Sequence, residues 1–173
     1  VYKLRPLELS LDFADRVYEL GDSIDVQVEL TPKGDVEVRE GRIDLVCEER
    51  YIQTAVTFIP DTYSQMSRAG SVTSGRTSHV ATERKERFVH SSVRFLDATG
   101  LQGARSSQHR VRLLVQPTPP PHLEEARALE RDANSAWSFR WTLIVTIDIV
   151  RGRNPKVQRA VKVTLPGEPI ARR

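Results

Sequence analysis

The amino-acid sequence predicts an all-β protein, an antiparallel β-sandwich with at most one short helix. Three observations predict this class. Apolar and polar residues alternate with a period of two along most of the 173 residues. Hairpin-length turns marked by glycine or proline separate the alternating segments. Helix-forming residues dominate in a single stretch, 123–134. About eight or nine strands in a row of this kind favour two sheets packed face to face, in one domain over residues 1–173.

The first third of the chain carries the clearest alternation. Residues 7–13 and 23–30 each place apolar side chains on one face and polar ones on the other, which predicts two half-buried strands. Gly21 marks the turn between them, and the "TPKGD" segment marks the next. Residues 36–49 then predict a third strand whose buried face includes Cys47, and a further strand is predicted over 51–59.

The middle of the chain changes composition after Pro60. Residues 61–83 are rich in Ser, Thr, Gly and Arg and carry few large apolar groups, which predicts a long mobile loop inserted in the sandwich. Strands resume near Arg84 and again at 109–115. Residues 117–135 predict a proline-rich crossover with a short helix over 123–134, because the prolines cannot continue a ladder.

The segment "WSFRWTLIVTIDIV", residues 137–150, places both tryptophans on one face of a strand. Two interpretations are open: an exposed platform on which bases or sugars stack, or the core face of a central strand. Four aliphatic residues continue the same parity after Trp141, and a stacking platform would not need them. The pattern therefore favours the core. A last strand is predicted over 157–165, where Pro166 ends it.

The order of these motifs resembles the arrestin-like clan. The resemblance is carried by "YELGDSIDVQVEL" opening the second strand, "GRIDLVCEE", the variable insertion, the proline-marked "HRVRLLVQPTPPP", the aromatic strand "WTLIVTIDIV" and the closing "VKVTLP". It covers most of the chain and is similar to a single arrestin-type domain, as in bacterial sporulation-control proteins. It implies an immunoglobulin/arrestin-like sandwich that acts as a protein-binding module. No functional residue is carried over, because no binding motif matches.

The usual motifs of catalysis and cofactor binding are missing from the sequence. No GxSxG, Walker-type or GxGxxG pattern occurs, and Cys47 falls on a buried parity. The four histidines lack metal-ligand spacing; "HLEE" at 122–125 is interpreted as a solvated helix start, although a zinc site assembled from distant segments stays open. Carboxylates on strands occupy outward positions. We therefore expect no enzyme, no cofactor and no resident metal.

The charge pattern and the cysteine content indicate which classes of partner and which cellular compartment to expect. The 26 basic and 23 acidic residues are interleaved, unlike the clustered footprint of nucleic-acid-binding proteins. No apolar run reaches the ~20 residues of a membrane span, so integral insertion is not expected, while contact with a membrane surface stays open. A single cysteine excludes an intrachain disulfide and favours the cytoplasm. Exposed sheet edges allow a monomer or a homodimer.

The sequence favours a non-catalytic, protein-binding scaffold or adaptor. Mobile loops and sheet edges take up peptides by strand addition, and phosphate on the 61–83 loop would lie near basic residues. The candidate partner-binding residues are Arg76, Arg84, Lys85, Pro119, Pro120, Arg151 and Arg153. The alternative is a carbohydrate- or lipid-headgroup-binding sandwich with Trp137 or Trp141 exposed. A third hypothesis is an enzyme built from dispersed carboxylates.

Overall fold

The computed structural model describes residues 6–60, 75–129 and 135–166. Within these residues the all-β class with one short helix is confirmed. The helix has seven residues, and no described helix is long and apolar enough to cross a membrane. The elements are β1 (Leu7–Phe13), β2 (Val17–Glu19), β3 (Ser23–Pro32), β4 (Val36–Pro60), β5 (Gly75–Leu96), β6 (Thr99–Leu101), β7 (Ser107–Leu114), α1 (Leu123–Leu129), β8 (Ser135–Ile149) and β9 (Lys156–Thr164).

The strands form two sheets. One has three strands in the order β1-β3-β7, and both of its pairings are antiparallel. The other has six strands in the order β2-β9-β8-β4-β5, with β6 paired antiparallel to β4. The short β2 pairs parallel with β9, and β8 pairs antiparallel with β9. Among the described strands, β1, β7, β2 and β5 therefore lie at the edges of their sheets.

By its internal contacts the chain divides into two compact units. The first contains the described residues of Val1–Glu48, Arg87–Pro121 and Phe139–Arg173. The second contains the described residues of Glu49–Glu86 and His122–Ser138. Strands β4, β5 and β8 contribute residues to both. The extent of a single domain over 1–173 stays a prediction.

The first unit buries the alternating apolar faces that the sequence predicts. Each fully buried aliphatic side chain contributes about 1.5–3 kcal/mol relative to an exposed one, so this core supplies most of the favourable free energy of folding. The three-stranded sheet contributes residues of one parity on each strand, whereas β4 and β8 of the six-stranded sheet also bury Val46 and Ile144 of the other parity. The side chains that are less than 2% exposed include Leu7, Ile24, Val28, Leu30, Ile43, Leu45, Leu113, Leu143, Val145 and Ile147.

Gly41 lies where β4 passes close to its neighbours. A Cβ placed on it would lie 2.9 Å from Leu96 Cβ and Phe95 Cζ and 3.0 Å from Ile147 Cδ1. The buried parity of β4 also changes here, from even numbers up to Val38 to odd numbers from Gly41 onward. Gly41 is thus a position without space for a side chain, at the point where the buried face of β4 changes.

The predicted mobile loop over 61–83 is wrong for its second half. Residues 75–83 belong to β5, which begins at Gly75 instead of near Arg84; residues 61–74 lie outside the described residues. The reason is physical: β5 is an edge strand, and nearly every residue from Arg76 to Arg87 is exposed. A strand that is solvated on both faces needs no apolar alternation, so its sequence resembles a loop.

Candidate functional site

The outer edge of β1 has no strand partner within the described residues. Lys33 donates its N–H to the carbonyl of Pro6 at 2.9 Å, in register with the β1–β3 ladder. In an antiparallel pair the bonded residues alternate, so Pro6, Glu8 and Ser10 bond toward β3. The N–H and C=O groups of Leu7 and Leu9 therefore point away from β3. A strand edge with free donors and acceptors is a template on which an extended peptide can pair.

Arg159 of β9 closes one end of this edge. Its Nη1 donates to the carbonyl of Leu11 at 3.0 Å and lies 3.3 Å from Asp12 Oδ1. Its guanidinium also lies 4.9 Å from the centre of the Phe13 ring. The Leu11 carbonyl thus accepts a hydrogen bond from Arg159, which lies outside the three-stranded sheet. This supports the conclusion that the backbone N–H and C=O groups of the odd-numbered residues of β1 point away from β3. Leu7 is 1% exposed, so the accessible part of this edge lies around Leu9, before Leu11.

An open groove runs along this part of β1. Residues of β1 and β3 line one part of it, and the turn between β8 and β9 together with the start of β9 lines the other. The lining residues are Pro6, Leu7, Glu8, Leu9, Ser10, Glu29, Thr31, Lys33, Arg151, Gly152, Arg153, Asn154, Pro155, Lys156 and Val157. All of them belong to the first unit. Two residues that the sequence predicts for partner binding, Arg151 and Arg153, thus lie on a groove beside an open strand.

Local sequence determines the shape of the turn that carries these two arginines. Gly152 has a φ of +111°, a conformation that L side chains rarely adopt. Asn154 Oδ1 accepts the backbone N–H of Ile149 at 3.1 Å, and the Ile147 N–H donates to the Pro155 carbonyl at 3.1 Å. The turn is therefore fixed from inside, and its arginine side chains are left exposed.

The groove carries an excess of positive charge. Lys33 Nζ lies 2.7 Å from Glu8 Oε1, so these two charges are paired with each other. Within the described residues, Arg151, Arg153 and Lys156 form no ion pair, and Glu29 is the one other acidic residue of the lining. Cations without a partner beside a strand edge favour ligands with negative charge.

The lining of the groove includes none of the other predicted partner-binding residues. Arg76, Arg84 and Lys85 lie exposed on β5, and Lys85 Nζ pairs with Glu83 at 3.3 Å. Eight residues of strand separate Arg76 from Arg84, which is about 26 Å at 3.3 Å per residue. Pro119 is exposed and Pro120 is buried, both between β7 and α1.

The two tryptophans differ in burial. Trp141 is 3% exposed, and His90 packs edge-on against it with ring centres 4.8 Å apart. The core interpretation of the aromatic strand is therefore confirmed for Trp141, and its use as an exposed platform is wrong. Trp137 is half-buried in the second unit, where its ring centre lies 4.9 Å from that of Tyr51. Burial lowers the pKa of His90, and a hydrogen bond to the Gln116 carbonyl opposes this shift.

A second cluster lies wholly within the second unit. Glu49 of β4, Glu86 of β5 and His122, the residue before α1, place one ligand atom each within 4.8 Å of one another. His122 Nδ1 lies 2.6 Å from Glu49 Oε2 and 3.8 Å from Glu86 Oε2. The hydrogen bond to Glu49 raises the pKa of His122 above its ordinary value, and nearby carboxylates add to the effect.

Sequence reasoning missed this cluster because its members are more than 30 residues apart. One signal was present: Glu49 continues the buried parity of Ile43, Leu45 and Cys47 along β4. The expectation that strand carboxylates point outward is wrong for Glu49, which is 3% exposed. The segment "HLEE" lies at the start of α1 with Glu124 and Glu125 exposed, and His122 in addition bonds to the buried carboxylate of Glu49.

Comparisons with known proteins identify the fold. No protein-family model matches the chain, and no curated protein matches it in sequence. Among solved structures, the chain is similar to the sporulation control protein Spo0M from Bacillus subtilis, with a TM-score of 0.59 and 10% sequence identity. The match covers 92% of this chain and 50% of Spo0M, so the chain spans half the length of that protein. At this identity the likeness concerns the fold alone. The chain has an arrestin-like β-sandwich fold.

Proposed function

We propose that the chain is a non-catalytic, protein-binding module that takes up an acidic, extended peptide at the edge of β1. The observation that carries the proposal is the partly exposed backbone of Leu9, which points away from β3 and has no partner within the described residues, beside a groove whose lining includes Arg151 and Arg153. Main-chain hydrogen bonds would supply affinity, and alternate side chains of the peptide would meet the groove. Arg151 and Arg153 would select for negative charge on the peptide.

The groove offers little chemistry for catalysis. Its lining contains no histidine and no cysteine, and Glu8 is held in an ion pair with Lys33. A general base or nucleophile needs an activating neighbour within hydrogen-bond distance. An arrestin-like fold is generally non-catalytic, which supports the same interpretation. Turnover of a substrate in this groove would contradict the proposal.

A binding experiment with synthetic peptides tests the mode of recognition. The probe is a fluorescein-labelled peptide of alternating Val and Glu, measured by fluorescence anisotropy. We expect it to bind, and we expect the Val–Lys peptide to bind at least about 10-fold more weakly because the charge is reversed. A Val–Glu peptide with N-methyl groups on alternate residues should also lose binding, since it cannot pair with a strand. Equal binding of the N-methylated peptide would exclude strand addition.

Two double variants locate the site. Arg151→Glu with Arg153→Glu should abolish binding of the Val–Glu peptide, because both side chains line the groove. Arg76→Glu with Arg84→Glu is the matched control, since it makes the same charge change at exposed positions of β5. If the control weakens binding as much as the groove variant does, the effect is one of net charge and the groove is not the site.

The sequence-based expectations about partners, oligomeric state and compartment stay predictions. The alternative of a lipid-headgroup-binding module keeps the support of Arg151 and Arg153, whose charges also suit a phosphate group. Vesicles containing phosphatidylserine, added at constant ionic strength, test it in a flotation assay. The first proposal expects the N-methylated and unmodified peptides to differ, whereas a lipid-binding role expects flotation that neither peptide inhibits. A cytoplasmic location also stays a prediction.

A further inference from the structure

We propose that Glu49, Glu86 and His122 form a zinc-binding site in the second unit. The site is independent of the groove, and nothing in the proposed peptide binding requires it. Its three members supply one imidazole nitrogen and two carboxylate oxygens, a donor set that first-row divalent cations accept. The site would hold β4, β5 and the start of α1 to one another.

The carboxylate of Glu49 is buried and only partly hydrogen-bonded. This side chain is 4% exposed; Oε2 bonds to His122, whereas Oε1 is buried and has no hydrogen-bond partner within the described part of the chain. A buried acceptor without a partner costs about 1–3 kcal/mol, and more when it is charged. A cation bound by both Glu49 and His122 would remove this cost, because it contacts the carboxylate directly.

The distances between the three side chains are close to those of a zinc site. Zinc bonds of about 2.0–2.2 Å in a tetrahedral arrangement place neighbouring ligand atoms roughly 3.3–3.6 Å apart. The His122–Glu49 distance of 2.6 Å must open and the His122–Glu86 distance of 3.8 Å must close, each by less than about 1 Å. Glu86 is 57% exposed and sits on an edge strand, so its side chain has room to make this adjustment.

The cluster is accessible to a metal ion from solvent, and its donor atoms favour zinc. His122 is 34% exposed, so the cluster is open to solvent on one side and buried at Glu49 on the other. An imidazole ligand favours zinc over magnesium or calcium, which prefer oxygen alone. Water would complete the coordination from the open side.

Direct metal binding is the first measurement. The purified protein, dialysed against chelator and then titrated with zinc chloride, should bind one equivalent with affinity that calcium and magnesium do not match. His122→Gln should weaken zinc binding by at least about 10-fold, the loss that even outer-shell changes cause in metal sites. His79→Gln and Glu124→Gln change an exposed histidine and an exposed carboxylate of the same unit, and both should bind zinc like the unchanged protein.

A second variant separates metal ligation from a structural role of His122. His122→Cys removes the imidazole bond to Glu49 but keeps a donor that zinc favours. We expect it to retain zinc binding and, with Co²⁺ as the probe, to gain the intense near-ultraviolet absorption of a thiolate–cobalt bond. Zinc should also raise the midpoint of thermal unfolding of the unchanged protein, but not that of His122→Gln.

Two results would overturn the proposal. One is the absence of stoichiometric zinc binding by the folded, unchanged protein, which would mean that water alone satisfies Glu49. The other is equal zinc affinity in the unchanged protein and in folded His122→Gln, which would place any bound zinc elsewhere. Peptide binding at the β1 groove is measured separately, so neither result affects the proposed function.

Discussion

The two compact units bury the same long strands to different degrees. In β4, Leu45 in the first unit is fully buried, whereas Phe58 in the second unit is 54% exposed. In β8, Val145 in the first unit is fully buried, whereas Trp137 in the second is half-buried. The first unit contains both sheets of the sandwich, and its apolar faces cover each other. The comparison teaches that period-two alternation determines the strand, while burial depends on what covers the face.

The largest expected difference between the units comes from one matched substitution. Val145→Ala removes two methyl groups from a fully buried side chain and should cost about 2–3 kcal/mol of unfolding free energy. Val56→Ala removes the same atoms from a side chain that is 54% exposed and should cost less than about 0.5 kcal/mol. Urea denaturation followed by circular dichroism measures both. Equal costs would contradict the contrast between the two units.

A second pair of variants tests the packing of the first unit in the opposite direction. Gly41→Ala adds a methyl group where neighbouring atoms already lie within 3.0 Å, and we expect a loss of about 1–2 kcal/mol from overpacking. Gly34→Ala adds the same group where nothing lies within 4 Å, and we expect little change or slight stabilisation. The same denaturation experiment serves. A neutral Gly41→Ala would mean that β4 is less tightly packed than described.

A smaller effect should appear as pH is lowered. Burial lowers the pKa of His90 below its ordinary 6.5, so the unfolded chain takes up a proton at this residue before the folded protein does. The contribution of His90 to stability is therefore complete above about pH 6.5 and declines as pH falls below it. His90→Gln keeps an N–H for the Gln116 carbonyl and should flatten this decline. Stability measured from pH 7.5 to 5 checks it; identical pH profiles would contradict the burial of His90.

The smallest perturbation compares the two indoles by fluorescence. Trp137→Phe leaves Trp141, and we expect blue-shifted emission that acrylamide quenches poorly, because this side chain is 3% exposed. Trp141→Phe leaves Trp137, whose emission should lie further to the red and be quenched more readily. The reverse order would contradict the burial assigned to the aromatic strand.

The sandwich could be predicted from the sequence because most of its strands have one solvent-exposed face and one buried face. Residues 7–13 and 23–30 alternate cleanly, and they form β1 and the greater part of β3. Gly21 has the positive φ of +95° expected at a turn. The start of β5 was not accessible, because an edge strand with two solvated faces leaves no apolar pattern. The end of β4 was predicted as a separate strand, although one strand continues from Val36 to Pro60.

The candidate sites were accessible in part. Arg151 and Arg153 stood out as a basic turn, but the groove depends on which strand lies at the edge of the sheet, and a single sequence does not carry strand order. The Glu49–Glu86–His122 cluster joins three distant segments, so no local spacing of residues predicts it. The one indication in the sequence was that Glu49 occupies a position on the buried face of its strand. Side chains that tertiary contacts bring together cannot be predicted from hydrophobic periodicity, because periodicity reports only local structure.

Residue-resolved hydrogen exchange by NMR tests the central claim, the open edge of β1, most directly. Without peptide, the amide of Leu9 should exchange much faster than those of Glu8 and Ser10, which bond toward β3. Saturating Val–Glu peptide should slow exchange at Leu9 and leave the amides around Arg84 of β5 unchanged. If the Leu9 amide is as protected as that of Ser10 without peptide, or if saturating peptide leaves its exchange unchanged, β1 is not the binding edge.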